Sequence, residues 1–99
     1  MAKRTSIRKA DLLEWARGFS LLSDATRLGI LKNLAKGPKN VTVLCKAVGL
    51  KQATVIYHLG LLRMGRLVVG TRQGRFVVYS TGKANLKALA SALGKLMPK

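Results

Sequence analysis

Side chains able to act as catalysts or metal ligands are scarce in this sequence. Beside one cysteine, Cys45, and one histidine, His58, it has only three acids, Asp11, Glu14 and Asp24. A tetrahedral zinc site takes four ligands, mostly Cys and His, so one subunit cannot supply them. These residues form no cluster of nucleophile, base and acid in the sequence. A single cysteine excludes an intrachain disulfide. The residue types therefore predict no enzyme activity, metal or cofactor, and Cys45 is expected to be a small buried hydrophobic residue.

The polar and basic side chains of the chain could instead form hydrogen bonds with nucleic acid. One predicted helix presents several of them. Apolar residues recur at helical spacing from about Lys51 to Met64 and predict a buried side made of Ala53, Val55, Ile56, Leu59 and Leu62. The helix start and the remaining face carry Lys51, Gln52, Thr54, Tyr57 and His58. These side chains can bond base edges and phosphates, and backbone amides at a helix start bind phosphate. For His58, contact with a phosphate or base and packing beneath the helix both remain open.

The net charge indicates a polyanionic partner. Nineteen Lys and Arg against three acids give a formal charge of +16, and a polyanion would relieve the resulting self-repulsion. With 48% hydrophobic residues the chain can bury a core, so we expect a folded domain and not a basic tail. A merely soluble basic surface and a ribosomal-type RNA-binding role remain alternatives to DNA binding.

The elements that must position the polar helix can be predicted along the chain. Residues 1–8 contain Lys3, Arg4 and Arg8 and predict a flexible basic arm, followed by one domain over 9–99. Further helices are predicted at about 9–21, from Ser23 or Asp24 to Lys36, at Val41–Val48 and at Lys83–Leu96. Only a short turn containing Gly49 separates the third helix from the polar helix, and this spacing is typical of a helix-turn-helix unit.

After Gly65 the pattern changes from helical to extended. Residues 66–70 and 75–80 predict two strands, joined by a turn at 71–74. Four arginines accompany this hairpin and are expected to contact DNA, with Arg72 directed to the minor groove: Arg63, Arg66, Arg72 and Arg75. An ordinary solvated hairpin is the alternative, because basic turns are common in a chain of this charge.

Three segments, in this order, resemble the ArsR/SmtB-type repressors. They are Leu22-Ser-Asp-Ala-Thr-Arg-Leu-Gly-Ile-Leu31, Val48-Gly-Leu-Lys-Gln-Ala-Thr-Val-Ile-Tyr-His-Leu59 and Gly74-Arg-Phe-Val-Val-Tyr-Ser80. The resemblance extends over about residues 10–96. It implies a mainly α-helical winged helix-turn-helix fold of five helices, with a small β-hairpin between the fourth and the fifth. It also implies a homodimer that places one recognition helix per subunit in successive major grooves.

The resemblance assigns the dimer interface to the first and last helices. Their apolar stripes contain Leu12, Trp15, Ala16, Phe19, Leu86, Leu89, Leu93 and Leu96. A three-helix core with a hairpin would leave both stripes partly uncovered, which favours dimerisation. The alternative is that these residues only close the core of the monomer.

The sequence departs from the resembled family at the metal-sensing positions. Where many members have Cys-x-Cys, this chain has Asn40, Val41 and Thr42, and its last helix contains neither an acid nor a histidine. Metal sensing is therefore not expected. A reactive Cys45 thiol remains an alternative, with Lys46 as its only support.

These observations together predict a dimeric regulator, a repressor that occludes a promoter on double-stranded DNA. We expect a cytoplasmic protein without membrane association, since the N-terminus lacks the apolar stretch of a signal peptide and no apolar run approaches ~18–20 residues. The alternative is an architectural DNA-binding protein of low sequence specificity, because basic residues extend over the second and last helices. The sequence assigns no small-molecule effector.

Overall fold

The predicted winged helix-turn-helix fold is confirmed by a computed structural model that describes residues 6–98. Five helices and three strands follow in the order α1 (Lys9–Leu22), α2 (Ala25–Leu34), β1 (Lys39–Asn40), α3 (Val41–Val48), α4 (Gln52–Met64), β2 (Val68–Gln73), β3 (Phe76–Thr81) and α5 (Lys83–Leu96). Two residues of the predicted arm, Lys3 and Arg4, lie outside the described part. Within that part, no helix is both long enough and apolar enough to span a bilayer.

Short polar side chains fix the helix starts. Asp24 accepts a hydrogen bond from the backbone N–H of Arg27 at 3.0 Å, and Asn40 accepts one from the backbone N–H of Val43 at 2.9 Å. Each carboxylate or amide oxygen thereby satisfies an amide that has no partner within its own helix. The second helix ends at Leu34 and not at Lys36 as predicted.

The sheet has one more strand than predicted. Lys39 and Asn40 pair with Tyr79 and Val78, which gives a three-stranded antiparallel sheet in the order β1-β3-β2. A two-residue strand is too short to show alternation, so the sequence carried no signal for it. This pairing attaches the wing to the start of α3.

The core lies between α2, α3, α4 and the base of the wing. Its buried members are Ile30, Leu31, Leu34, Leu44, Val55, Leu59, Leu62, Leu67, Val68 and Leu89. The prediction was right for Val55, Leu59 and Leu62, but wrong for Ala53 and Ile56, which are exposed. The error has a geometric cause. Successive residues of an α-helix are rotated by about 100° around its axis, so Ile56 lies well to the side of the buried helix face that contains Val55, Leu59 and Leu62.

Candidate nucleic-acid interface

The helix-turn-helix unit is formed by α3 and α4 with a tight turn between them. Gly49 ends α3 in the left-handed region at φ 72°, and its N–H donates to the Cys45 carbonyl at 2.8 Å. A residue with a Cβ would be strained there, because this backbone conformation crowds the side chain. Lys51 is then the N-cap residue of α4 and makes no side-chain capping hydrogen bond, so it leaves the first amides of the helix uncapped.

The exposed face of α4 differs from the predicted one. Gln52, Tyr57 and the basic residue Arg63 are exposed, as a contact surface requires. Thr54 is only half-buried at the edge of that face. Two apolar residues that the sequence assigned to the core, Ala53 and Ile56, belong to the exposed surface instead. The hydrophobicity of these two residues is what misled the prediction.

His58 points inward and not toward solvent. Its side chain is 13% exposed, and Nδ1 lies 3.1 Å from Nη1 of Arg27 and 3.9 Å from the Asp24 carboxylate. Since a guanidinium can only donate, Nδ1 accepts this bond and the neutral ring carries its proton on Nε2. Of the two alternatives for His58, the geometry favours packing beneath the helix. The Asp24 carboxylate lies near the same nitrogen, Nδ1, without hydrogen bonding to it, because both atoms are then acceptors.

Arg27 connects three elements at this point. Its Nε donates to the Leu21 carbonyl at 2.6 Å, near the end of α1, while Nη1 reaches His58 on α4. Its backbone N–H holds the Asp24 carboxylate, and this hydrogen bond lowers the pKa of Asp24 below its ordinary value. Arg27 thus connects α4 to the junction of α1 and α2, a role that the sequence did not reveal.

The wing is a hairpin whose tip carries the predicted arginines. Gln73 pairs with Phe76, so the turn is Gly74-Arg75, shorter than the predicted 71–74. Gly74 has φ 62°, which suits the first central position of a two-residue turn that matches the strand twist. Arg72 and Arg75 are both exposed beside this turn. The hairpin therefore presents two guanidinium groups at its end.

The link from α4 to the wing explains why β2 begins at Val68 and not at Arg66. Arg66 N–H bonds the Arg63 carbonyl and Leu67 N–H bonds the Leu62 carbonyl, both at 2.9 Å, as in a Schellman helix end. The left-handed position, usually glycine, is Arg66 at φ 58°. It is preceded by Gly65, where a Cβ would meet the end of the Leu21 side chain, which would then have to shift. Arg66 is thus an exposed residue at the junction of α4 and the wing.

The charged residues of the helix-turn-helix unit, the wing and α5 are all basic. The reason is that no Asp or Glu follows Asp24 in the sequence. Arg8, expected in the mobile arm, pairs instead with Asp11 at 3.1 Å as the N-cap residue of α1. This hydrogen bond lowers the pKa of Asp11. The uncompensated positive surface thus lies on the elements from α2 onward.

The residues predicted to form a dimer interface separate into two groups. Leu89 belongs to the monomer core, where its side chain packs against Gly18 of α1, and Phe19 and Leu86 pack against that core. Trp15 is half-buried beneath Lys95, whose Nζ lies 5.8 Å from the ring centre. The remaining members are exposed: Leu12, Ala16, Leu93 and Leu96. No residue of α1 is fully buried, so an apolar surface remains on α1 and α5.

Metal-binding groups do not cluster in the described residues. Over residues 6–98, no three His, Cys, Asp or Glu side chains lie close enough to hold an ion. Cys45 is half-buried and packs against the core.

Comparison with known proteins identifies the family. Residues 24–69 match the model of the bacterial regulatory proteins of the arsR family. The HTH-type transcriptional regulator NmtR of Mycobacterium tuberculosis is 48% identical over 59 residues, 60% of this chain and 49% of that protein. The arsenical resistance operon repressor of Escherichia coli is 40% identical over 62 residues, 62% of this chain and 53% of that protein. The chain thus spans about half the length of these two relatives.

Other relatives align over more of their length. The nodulation protein NolR of Rhizobium meliloti is 33% identical over 89 residues, 89% of this chain and 73% of that protein. Among solved structures, an ArsR-like transcriptional regulator from Rhodococcus sp. RHA1 has a TM-score of 0.80 at 28% identity, covering 88% of this chain and 82% of that one. A homodimeric winged helix-turn-helix DNA-binding domain from Mycobacterium bovis has a TM-score of 0.76 at 29% identity, covering 94% and 87%. With its three motifs and its fold in agreement, the chain belongs to the arsR family of bacterial regulatory proteins.

Proposed function

We propose that this protein is a homodimeric transcriptional repressor that binds double-stranded DNA. The observation that carries the proposal is the exposed polar face of α4 beside a wing tipped with arginine, on elements without an acid. A recognition helix of this kind fits the major groove, and basic side chains neutralise the flanking phosphates. The relatives support the same conclusion: one is a repressor and one neighbour is a homodimeric DNA-binding domain. A bacterial DNA target implies a cytoplasmic location.

Each contact residue has a part in this proposal. Gln52, Thr54 and Tyr57 would bond base edges, while Lys51 and the free amides of the helix start would bind a phosphate. The arginines would follow the backbone, with Arg72 entering the minor groove: Arg63, Arg66, Arg72 and Arg75. His58 would act from beneath, by holding α4 through Arg27. The N-terminal Lys3 and Arg4 would add electrostatic contacts, while Arg8 is paired with Asp11 at the start of α1.

Dimerisation sets the geometry of the target. The exposed leucines of α1 and α5, Leu12, Leu93 and Leu96, would be covered by a second copy. A twofold dimer would read a pseudo-palindromic site with half-sites about 34 Å apart, and would repress by occluding the promoter.

The repressor is further proposed to act without sensing a metal. The positions that hold the Cys-x-Cys ligands in many members are Asn40, Val41 and Thr42 here, and α5 has no acid or histidine. Neutral amide, alkyl and hydroxyl groups do not replace thiolates as ligands of soft divalent ions. Titration with Zn²⁺ or Ni²⁺ should leave the affinity of the protein for its operator unchanged, and a tenfold change would contradict this part.

A second candidate, an architectural protein of low sequence specificity, is favoured by one observation. Exposed lysines also lie outside α4 and the wing, on α2, just after its end and on α5: Lys32, Lys36, Lys83, Lys87 and Lys95. A positive surface of this extent binds phosphates regardless of sequence.

A competition titration separates the two candidates. Purified protein bound to a site recovered from genomic DNA is challenged with random duplex at fixed salt. A repressor should prefer its site by about 10³-fold or more. A preference below about tenfold would refute the repressor and support the architectural protein.

A further inference from the structure

The recognition helix leaves about half of an aliphatic side chain uncovered. Ile56 is 47% exposed, whereas Val55 beside it is fully buried. A β-branched residue lowers helix propensity slightly, and the part of an apolar side chain that stays in water adds nothing to the folded state. The exposed half of Ile56 is therefore available to a partner.

One turn further along α4 lies Gly60, which has no side chain. A Cβ built on Gly60 meets no atom within 4 Å, so internal packing does not require a glycine. In the middle of a helix, glycine costs about 0.5–1 kcal/mol relative to alanine. Residues 56 and 60 lie above one another on the same helix face. A bare backbone beside an exposed isoleucine is a surface shaped for close approach by a partner.

The charges around this surface indicate which partner. Lys51 at the start of α4 and Arg63 near its end are exposed, and no acid occurs anywhere on α3, α4 or the wing. An apolar protein surface would leave these two basic side chains without acidic partners. A DNA groove, in contrast, has phosphates on both sides that can pair with them. Within the major groove, the apolar group available to an aliphatic side chain is the 5-methyl group of thymine.

We propose that Ile56 is a specificity-determining residue that contacts the methyl group of a thymine in each half-site, and that Gly60 lets the groove approach α4. The inference rests on the proposed function, DNA binding through α4. Gln52 lies one turn before Ile56, about 6 Å along the helix axis. Because Gln pairs with adenine, the preferred half-site should contain a second A·T pair within about two base steps of the pair that carries this thymine.

The test removes only the methyl group. The full chain selects its preferred duplex from a random pool, and each symmetry-related pair of thymines is then replaced by deoxyuridine. Affinities are measured by fluorescence anisotropy at fixed salt. Replacement at one position should weaken binding by about fourfold per half-site, the value of one buried methyl group. Ile56→Ala should bind more weakly and should be insensitive to that same replacement, as a double-mutant cycle requires.

Two further variants complete the experiment. Leu28→Ala shortens an aliphatic side chain of similar exposure on α2 and should keep the full deoxyuridine penalty. Gly60→Ala should raise the melting temperature yet reduce affinity severalfold, and unchanged affinity would overturn the role of Gly60. Melting curves should show that Ile56→Ala is folded.

The possible outcomes separate a failure of the Ile56 inference from a failure of the proposed DNA-binding function. A selected site whose thymines all tolerate deoxyuridine, or an equal penalty in Ile56→Ala, overturns the inference alone. A changed oligomeric state in Ile56→Ala also overturns it, because the side chain would then lie between copies of the chain. If no sequence is selected, the specific repressor fails and the specificity role of Ile56 fails with it.

Discussion

Shortening Leu93 to alanine should dissociate the dimer while leaving the monomer folded. Leu93 is 55% exposed on α5, so its truncation creates no cavity in the monomer core. In the proposed dimer the exposed half of this side chain is covered by the partner. The variant therefore separates the energy of association from the energy of folding.

The size of the effect follows from the exposed area. Burying a whole leucine side chain is worth about 1.5–3 kcal/mol, so the exposed half of Leu93 carries about 0.8–1.5 kcal/mol. A twofold interface contains each residue twice, which doubles the loss to about 1.5–3 kcal/mol per dimer. The dimer dissociation constant should therefore rise by about 10- to 150-fold.

Sedimentation velocity over a concentration series measures that constant, and circular dichroism melting measures the fold. Leu28→Ala is the matched control, since Leu28 is 51% exposed but lies on α2. It should leave the dimer dissociation constant within about threefold of the original. An unchanged constant in Leu93→Ala, or an equal rise in Leu28→Ala, would refute an interface built on α5.

Three further predictions concern the α4–wing turn, the wing tip and the α2 cap. Arg66→Gly should stabilise the fold by about 0.5–1 kcal/mol in urea unfolding, because it relieves a left-handed backbone, yet it should weaken DNA binding; destabilisation would contradict the assigned strain. Arg72→Ala should reduce the magnitude of the slope of log affinity against log salt by about 0.9 per subunit, about 1.8 for the dimer, while Lys32→Ala leaves it unchanged, and equal effects would favour the architectural protein. The lowered pKa of Asp24 means that its carboxylate stabilises the fold above the ordinary carboxyl pKa and loses this contribution as the pH falls through the folded value. Melting temperatures between pH 7 and 2.5 should therefore fall less steeply below about pH 4 in Asp24→Asn than in the original chain, and parallel curves would contradict this.

The sequence by itself determined the elements and their order. Capping residues such as Asp24, breakers such as Gly49 and the change of period after Gly65 are local signals, because they act through the backbone within a few residues. They located all five helices of the described chain and the wing hairpin, and the charge indicated the partner. The strand Lys39–Asn40 escaped detection because its stability comes from β3, which lies far along the chain.

Only the tertiary structure decided which side of each helix is covered. Hydrophobicity placed Ile56 in the core, but the packing of α4 leaves it exposed. For His58 the sequence left DNA contact and packing beneath the helix both open, and the structure has the ring facing inward. Burial depends on the neighbouring elements, here on Arg27 and Asp24 of the α2 start, which approach His58 across a long separation in sequence. The same holds for α5, where Leu89 is buried against Gly18 and Leu93 is not. Periodicity shows that a helix has an apolar side, but only the packing shows how much of that side the monomer uses.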